Sequence, residues 1–334
     1  MKKILLCTFI FLLIPLTTWA RPPGLNVPYT TQIPNGYWAN PWSNACEESS
    51  IIMVEEYYKG KTGLISRQKA IALISPFFIY ENNIFGHNSD SNSYRTQTLI
   101  KKYTSFNVDI KRDPTLEEIK QHLRYHFPII SLHYGFDLIN PNLHFRATGS
   151  SYHMMVITGY DDKSGSFITN DPGDNKTGYD KEYNYNNFLK TLGDFDHVNK
   201  KVDKNIPTVL FSYPKLVKTK NSNKIYYVEN GKKYYISHPQ IIILNNWEWS
   251  WIKEVNTEWL SELKNGSILT LQSPSLHNEE LVKPTGSQSI FLIKDNQKLY
   301  ITHPNIFTQR GWSWNNVKSV DNNYLSKYPA AGTI

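Results

Sequence analysis

One stretch of this chain is written twice, and that limits its architecture more than any other feature. The run from Ile225 to Pro239 recurs from Ile290 to Pro304. The offset, 65 residues from His238 to His303, persists through Trp247 and Trp312, Trp249 and Trp314, Val255 and Val320, and Trp259 and Tyr324. A fixed offset held over so long a span is the signature of one structural unit used twice. Each copy opens with two short runs of β-branched and aromatic residues, joined by Asn230-Gly231 in the first and Asp295-Asn296 in the second. Asn-Gly supplies the positive φ angles of a two-residue hairpin turn. A His-Pro corner and a short helix follow in each. His238 and His303 are read as corner residues, with a metal pair as the alternative. The two copies are predicted at about 222–272 and 287–334, inside a smaller β-rich region at 213–334.

The first twenty residues read as a bacterial secretory leader. Lys2-Lys3 is followed by an apolar run from Ile4 to Pro15 and by small residues at Thr18 and Ala20. The run is short for a membrane span, so cleavage near Ala20 is predicted, giving a secreted or periplasmic product without a transmembrane segment. The net charge of +7, part of it from Lys2 and Lys3, is unaccompanied by any dense Lys/Arg cluster. Nucleic acid is therefore not an expected partner, whereas a mildly basic chain suits anionic envelope polymers.

Between these segments, 21–212 mixes helix and strand signals. A helix is expected from Cys46 to Tyr58, with Lys59-Gly60 closing it. Thr115-Leu116-Glu117-Glu118 fits a capping box that starts another, ending near His126. Strands are expected at Pro128–His133, His153–Gly159 and Ser166–Asn170. A helix ahead of a run of strands predicts an α+β fold on an antiparallel sheet.

Only two cysteines occur, Cys7 in the leader and Cys46. An exported chain with one thiol left has a spare, a partner for another chain, or a nucleophile. A thiol in the first turn of a helix meets the positive end of the helix dipole, which favours the reactive thiolate, although a buried structural cysteine is an equal reading of the placement alone. Glu47 and Glu48 are expected to face backbone donors or solvent. Thiolate chemistry needs an imidazole, and His153 stands at the mouth of an apolar strand. The next strand ends in Asn170-Asp171-Pro172-Gly173, so a hairpin would bring Asp171, or less favourably Asn170, beside His153 to orient the ring. Gln32 lies upstream as a candidate oxyanion donor, beside the reading of an ordinary surface glutamine.

Val27-Pro28-Tyr29-Thr30-Thr31-Gln32, Ala45-Cys46-Glu47-Glu48-Ser49, Tyr152-His153, Gly159-Tyr160-Asp161-Asp162 and Asn170-Asp171-Pro172-Gly173, in that order, resemble the C39-like peptidase family of the papain-like cysteine peptidase superfamily. The resemblance implies a papain-like domain over 21–212, with a helix bearing the cysteine packed on an antiparallel sheet bearing the histidine. It implies Cys46 as nucleophile, His153 as base and acid, Asp171 as orienting residue and Gln32 as oxyanion donor. The implied function is that of an exported cysteine peptidase or amide hydrolase acting on a peptide or protein. Relatives that cut double-glycine leaders sit on transporter chains, and no such segments follow here. The stretch from Glu81 to Arg95 reads as an insertion.

No cofactor or metal site is expected. His122 and His126 are four apart, but no third ligand accompanies them, and they read as a solvated helix face. Asp161, Asp162, Asp171 and Asp174 do not follow the calcium-loop pattern. The same triad would equally serve a peptidoglycan amidase or transpeptidase. A non-catalytic protein that binds cell-wall polymer through its C-terminal repeats, or an envelope structural protein, is the remaining alternative.

Overall fold

The computed structural model of the chain describes residues 24–87, 90–143, 151–271, 280–294, 297–310, 312–326 and 328–334. The predicted leader and the Asp295-Asn296 turn lie outside the described residues. The fold is α+β. In chain order its first part contains α1 (Cys46–Tyr58), α2 (Arg67–Phe85), α3 (Ser93–Tyr103), β1 (Phe106–Arg112), α4 (Leu116–Arg124), β2 (Ile129–Tyr134), β3 (Tyr152–Asp161), β4 (Ser166–Asn170), β5 (Lys181–Asn184), α5 (Tyr185–Thr191), a ribbon of β6 (Asp194–Asp196) and β7 (Lys201–Asp203), and β8 (Thr208–Pro214).

The main sheet runs β1-β8-β2-β3-β4-β5, with every neighbouring pair antiparallel. The late strand β8 is thus inserted between β1 and β2, where its apolar run Val209-Leu210 is fully buried. Helix α1 packs on β3 and α2 packs on α1. Twelve of the residues of α1 are buried and only Tyr57 is partly open. A helix covered by a sheet on one side and another helix on the other is apolar or internally satisfied all round, not striped. Helix α4 carries the predicted capping box, with Thr115 and Glu118 bonded reciprocally. Its His122 corrects the solvated-face reading. The ring is buried against the sheet, stacked on Phe211 at 4.4 Å, with Nε2 2.8 Å from the Ser212 carbonyl.

Two smaller sheets follow. The first joins β9 (Leu216–Lys218), β10 (Tyr226–Glu229), β11 (Lys232–Tyr235), β12 (Ile252–Glu254) and β13 (Lys264–Asn265), with helices α6 (Gln240–Leu244) and α7 (Thr257–Glu262). The second joins β14 (Glu280–Pro284), β15 (Phe291–Lys294), β16 (Gln297–Tyr300), β17 (Lys318–Val320) and β18 (Ala330–Thr333), with helices α8 (Asn305–Arg310) and α9 (Asn322–Ser326). Their strand orders, β12-β9-β10-β11-β13 and β17-β14-β15-β16-β18, correspond one for one. In both the inner pairs are antiparallel and the outer pairs parallel. Asn230 and Gly231 hold φ of 52° and 67°, as a two-residue hairpin turn demands. His238 Nδ1 accepts the Gln240 amide and His303 Nδ1 accepts the Asn305 amide, so each histidine caps a helix start.

The first small sheet does not stand apart. Val217, Val228, Trp259 and Leu260 belong to the same buried cluster as α1 and the main sheet. Trp259 meets Phe127 edge-on at 4.7 Å.

Candidate active site

The N-terminal segment sets one wall of the site. Its backbone runs beside the β3–β4 hairpin, where Leu25 N–H bonds to the Thr158 carbonyl at 2.7 Å and Asn170 Nδ2 donates to the Val27 carbonyl at 2.9 Å. That path brings Gln32 to the turn after β4, where its backbone N–H donates to the Pro172 carbonyl at 2.9 Å. The Gln32 side chain is buried, with Nε2 3.0 Å from the Ser43 carbonyl and 3.4 Å from that of Trp42. It therefore sits just ahead of Cys46, not on the open surface.

Cys46 is the first residue of α1 and the one cysteine among the described residues. Its sulfur lies against β3, with the backbone N–H of Met154 directed at it, one residue from His153. His153 is buried, and its Nε2 lies 2.7 Å from Asp171 Oδ1. Asp171 is itself closely held. Oδ1 also accepts the Gly173 N–H at 2.9 Å, and Oδ2 accepts the Tyr183 hydroxyl at 2.5 Å. Burial alone would raise the Asp171 pKa, but the charge and hydrogen bond of His153, with Tyr183 and Gly173, outweigh it and keep the carboxyl ionised. An ionised carboxylate can only accept, so Nε2 carries a proton in that bond. Gly173 is required here, because a Cβ on it would lie 2.7 Å from His153 Cε1.

The structure thus joins His153 to Asp171 directly and puts Gln32 and Cys46 on the elements that flank them. Asn170, the weaker alternative to Asp171, turns its amide to the N-terminal segment. Residues that sequence reasoning missed complete the carboxylate's support. Tyr183 accepts from Asn140 Nδ2 at 2.8 Å while donating to Asp171. Tyr29 donates to the Asp174 carbonyl at 2.7 Å. Tyr29 was within a quoted motif, whereas Tyr183 and Asn140 lie in segments with no periodic or motif signal.

The surroundings of the thiol differ from expectation. Glu47 and Glu48 are both buried. The thiol donates to Glu47 Oε2 at 3.0 Å, and Glu47 Oε1 accepts the Ser91 N–H at 2.7 Å. Burial, followed by the charge and hydrogen bond of Glu47, pushes the Cys46 thiol well above its ordinary pKa, and the Met154 N–H only partly offsets this. The resting group is a neutral thiol, not the thiolate that helix placement suggested. The cause is the segment read as an insertion. The end of α2 and the start of α3 cover the first turn of α1 and contribute Glu81, Ser91 and Arg95 to its surroundings. Glu48 and Glu81 interact side chain to side chain, with burial raising both, Glu81 to about 7. Two facing carboxyl groups are compatible when one carries a proton.

The sequence profile of the Peptidase_C39 like family matches residues 24–192. A crystal structure of a Bacillus anthracis protein named as a C39-like peptidase is 17% identical, covers 56% of this chain and 94% of its own, and superposes with a TM-score of 0.34. No curated protein matches the chain. The matched span of the family profile contains α1 with Cys46, the β3–β4 hairpin with His153 and Asp171, and the Gln32 segment.

Proposed function

We propose, because the chain belongs to the C39-like peptidase family, that it is an exported cysteine peptidase or related amide hydrolase working through Cys46, His153 and Asp171. The observation that carries the reading is the His153–Asp171 bond of 2.7 Å on the strand that faces the first residue of α1.

In this mechanism substrate entry moves the thiol proton from Cys46 Sγ to His153 Nδ1. Asp171 stabilises the imidazolium and fixes the ring. The sulfur attacks the substrate carbonyl carbon, and the resulting oxyanion takes hydrogen bonds from the Cys46 N–H, in the first turn of α1, and from Gln32 Nε2, which exchanges its longer bond, 3.4 Å to the Trp42 carbonyl, for the oxyanion. His153 returns its proton to the amine nitrogen as the C–N bond breaks. Water then gives a proton to His153 and its oxygen to the thioester, releasing the acid and restoring the thiol. The acidic cover over α1 keeps the thiol protonated until a substrate displaces that balance.

The test is hydrolysis by wild type, Cys46→Ala and His153→Ala across a panel of peptides and peptidoglycan fragments. Each variant is expected to lose turnover by ~1,000-fold or more, about 4 kcal/mol of barrier. Residual hydrolysis by Cys46→Ala within about tenfold of wild type, about 1.4 kcal/mol, would remove the sulfur from the mechanism. The panel also separates cleavage of peptides from amide cleavage in peptidoglycan.

A further inference from the structure

The second small sheet carries a groove of about 540 Å³, and none of the proposed catalytic residues lines it. That size is within the range of a site for a small or oligomeric ligand. Strands β14 and β16, the start of α8 and the short turn that begins at Trp314 form its walls. Eleven of the described residues line it, and seven of them are identical 65 positions earlier in the first copy of the unit, Tyr300 matching Tyr235, His303 matching His238 and Trp314 matching Trp249. The other four change little in kind, as from Asn223 to Gln288 and from Ser237 to Thr302. Over the rest of the paired span, 216–269 against 281–334, only ten of forty-three positions are identical, so the groove is what the two copies share most. Packing does not account for that, because Trp249 is 50% exposed and Trp314 55%. Exposed apolar residues are not retained by default either. Ile243 and Leu244, 66% and 57% exposed, stand where the second copy has Thr308 and Gln309.

The Trp314 indole lies flat on the Phe307 ring, with ring centres 4.0 Å apart and planes 3° from parallel. Phe307 is buried beneath it, so one indole face rests on the core and the other is turned outward. Polar groups that the fold leaves unused stand around that face. His303 is exposed, and its Nδ1 accepts the Asn305 amide at 3.1 Å. The neutral ring therefore carries its proton on Nε2, as a donor to the outside. The Tyr300 hydroxyl, the Gln288 amide and the Lys283 ammonium have no hydrogen-bond or ion-pair partner among the described residues. In the first copy Lys218 is paired with Glu254 at 3.2 Å, and the Lys224 ammonium lies 5.9 Å from the Tyr235 ring centre. A free cation is thus not common to the two copies. What they share is uncharged: an exposed indole, a phenol, an imidazole N–H and a side-chain amide.

The negative face of an outward indole attracts the polarised C–H groups on the flat side of a pyranose ring. An imidazole N–H, a phenol and an amide beside it offer donors and acceptors together, which is what the hydroxyl groups around the edge of that ring need. A proline-rich peptide also packs on exposed aromatic rings, but its tertiary amides only accept, and the amide oxygens of Gln288 and Asn223 would gain nothing from it. Two matching surfaces on one chain suit a ligand that itself repeats, because the second contact is then made at a raised effective concentration. We infer that the groove binds an uncharged saccharide chain, with a pyranose face on Trp314 and hydroxyls on His303, Tyr300 and Gln288, and that Trp249 in the first copy takes another stretch of the same polymer. The site uses none of the residues of the hydrolase mechanism, so it stands whether or not that mechanism does.

Calorimetric titration of the full chain carrying Cys46→Ala with cellopentaose and with chitopentaose tests it. Saturable binding of at least one is expected. Trp314→Ala should weaken it about tenfold or more, and Trp314→Phe less, since a ring face remains. Tyr300→Phe removes one hydroxyl and no packing, should weaken binding about threefold or more, and serves if Trp314→Ala disturbs Phe307. Trp249→Ala should lower retention of the chain on the matching insoluble polymer, cellulose or chitin. With Cys46 intact, Trp314→Ala should leave hydrolysis of soluble peptides unchanged. Binding of neither pentasaccharide, binding indifferent to both Trp314→Ala and Tyr300→Phe, or tighter binding of decaproline or of trigalacturonic acid would each overturn the proposal, and retention indifferent to Trp249→Ala would overturn the second contact.

Discussion

At Cys46 two local influences oppose each other. The first turn of α1 and the Met154 N–H favour a thiolate, whereas burial and Glu47 favour the thiol, and the latter prevail. Iodoacetamide alkylation of Cys46 should therefore rise with pH along a curve that inflects above the ~8.5 of a free cysteine. Burial, then the charges of Glu48 and Asp90, push Glu47 itself above the ordinary carboxyl range, so it holds the thiol proton as a charged acceptor on the alkaline side; Glu47→Gln removes that acceptor and should move the inflection to lower pH. A wild-type inflection below about 7 would show that the dipole wins after all. Gly173 gives a second prediction at this scale. Gly173→Ala places a methyl against the His153 ring, so hydrolysis should fall at least tenfold, about 1.4 kcal/mol, with little change in melting temperature. Activity within about twofold of wild type would mean the ring shifts harmlessly. The helix start at Cys46 and the hairpin that pairs His153 with Asp171 were legible in sequence because each stands at the start or end of an element with its own local signal. Glu47 and Glu48 were misread because an acid in a first turn ordinarily serves the helix dipole, and no local pattern reports that another helix pair covers it.

Among elements, α1, α4 and the strands β2, β3 and β4 could be read from caps, alternation and turns. Helix α2 escaped because Pro76 interrupts its interior. Strand β8 escaped because its place between β1 and β2 depends on pairing with residues about a hundred positions earlier, which periodicity does not encode. The α2–α3 cover carries its own pH dependence. Glu81 has a folded pKa raised from 4.5 to about 7 by burial, opposed by its hydrogen bond with Glu48, with the Glu47 charge adding to the rise and Ser91 and Arg95 reducing it. A raised acid binds more protons folded than unfolded, so its contribution is intact below its unfolded value and is lost as pH rises through the folded one. Glu81→Gln mimics the protonated form. The variant's melting temperature should gain on wild type between pH 4.5 and 7, by an amount on the order of 3 kcal/mol in stability if the whole shift is expressed. A difference between the two proteins that is flat with pH would assign the proton to Glu48 instead.

Across the whole molecule the repeat was visible, but its first strand was not. Leu216-Val217-Lys218 and Leu281-Val282-Lys283 share the same 65-residue offset and form β9 and part of β14, ahead of the start read from the hairpins. The three-residue identity is too short to stand out alone. A shared core was also hidden, because composition places the boundary near Pro214 while packing crosses it. Only Lys215 separates β8 from β9. Trp259 of α7 reaches Phe127 and, at 6.1 Å, Tyr213, and Tyr125 OH donates to Glu262 Oε1 at 2.5 Å beside it. Those partners flank β2, the strand that pairs with β3 and so supports His153. Removing the indole leaves a cavity at the junction, and truncations of buried tryptophan cost about 3–5 kcal/mol. Were the first small sheet an independent body, Trp259→Ala would lower one melting transition and leave the other in place. With one continuous core the loss is felt by the part that holds the site, so the substitution should lower the temperature at which amide hydrolysis is lost, together with the unfolding of the main sheet. A variant whose hydrolase activity survives heating as well as wild type, while the C-terminal part melts early, would separate the two parts energetically.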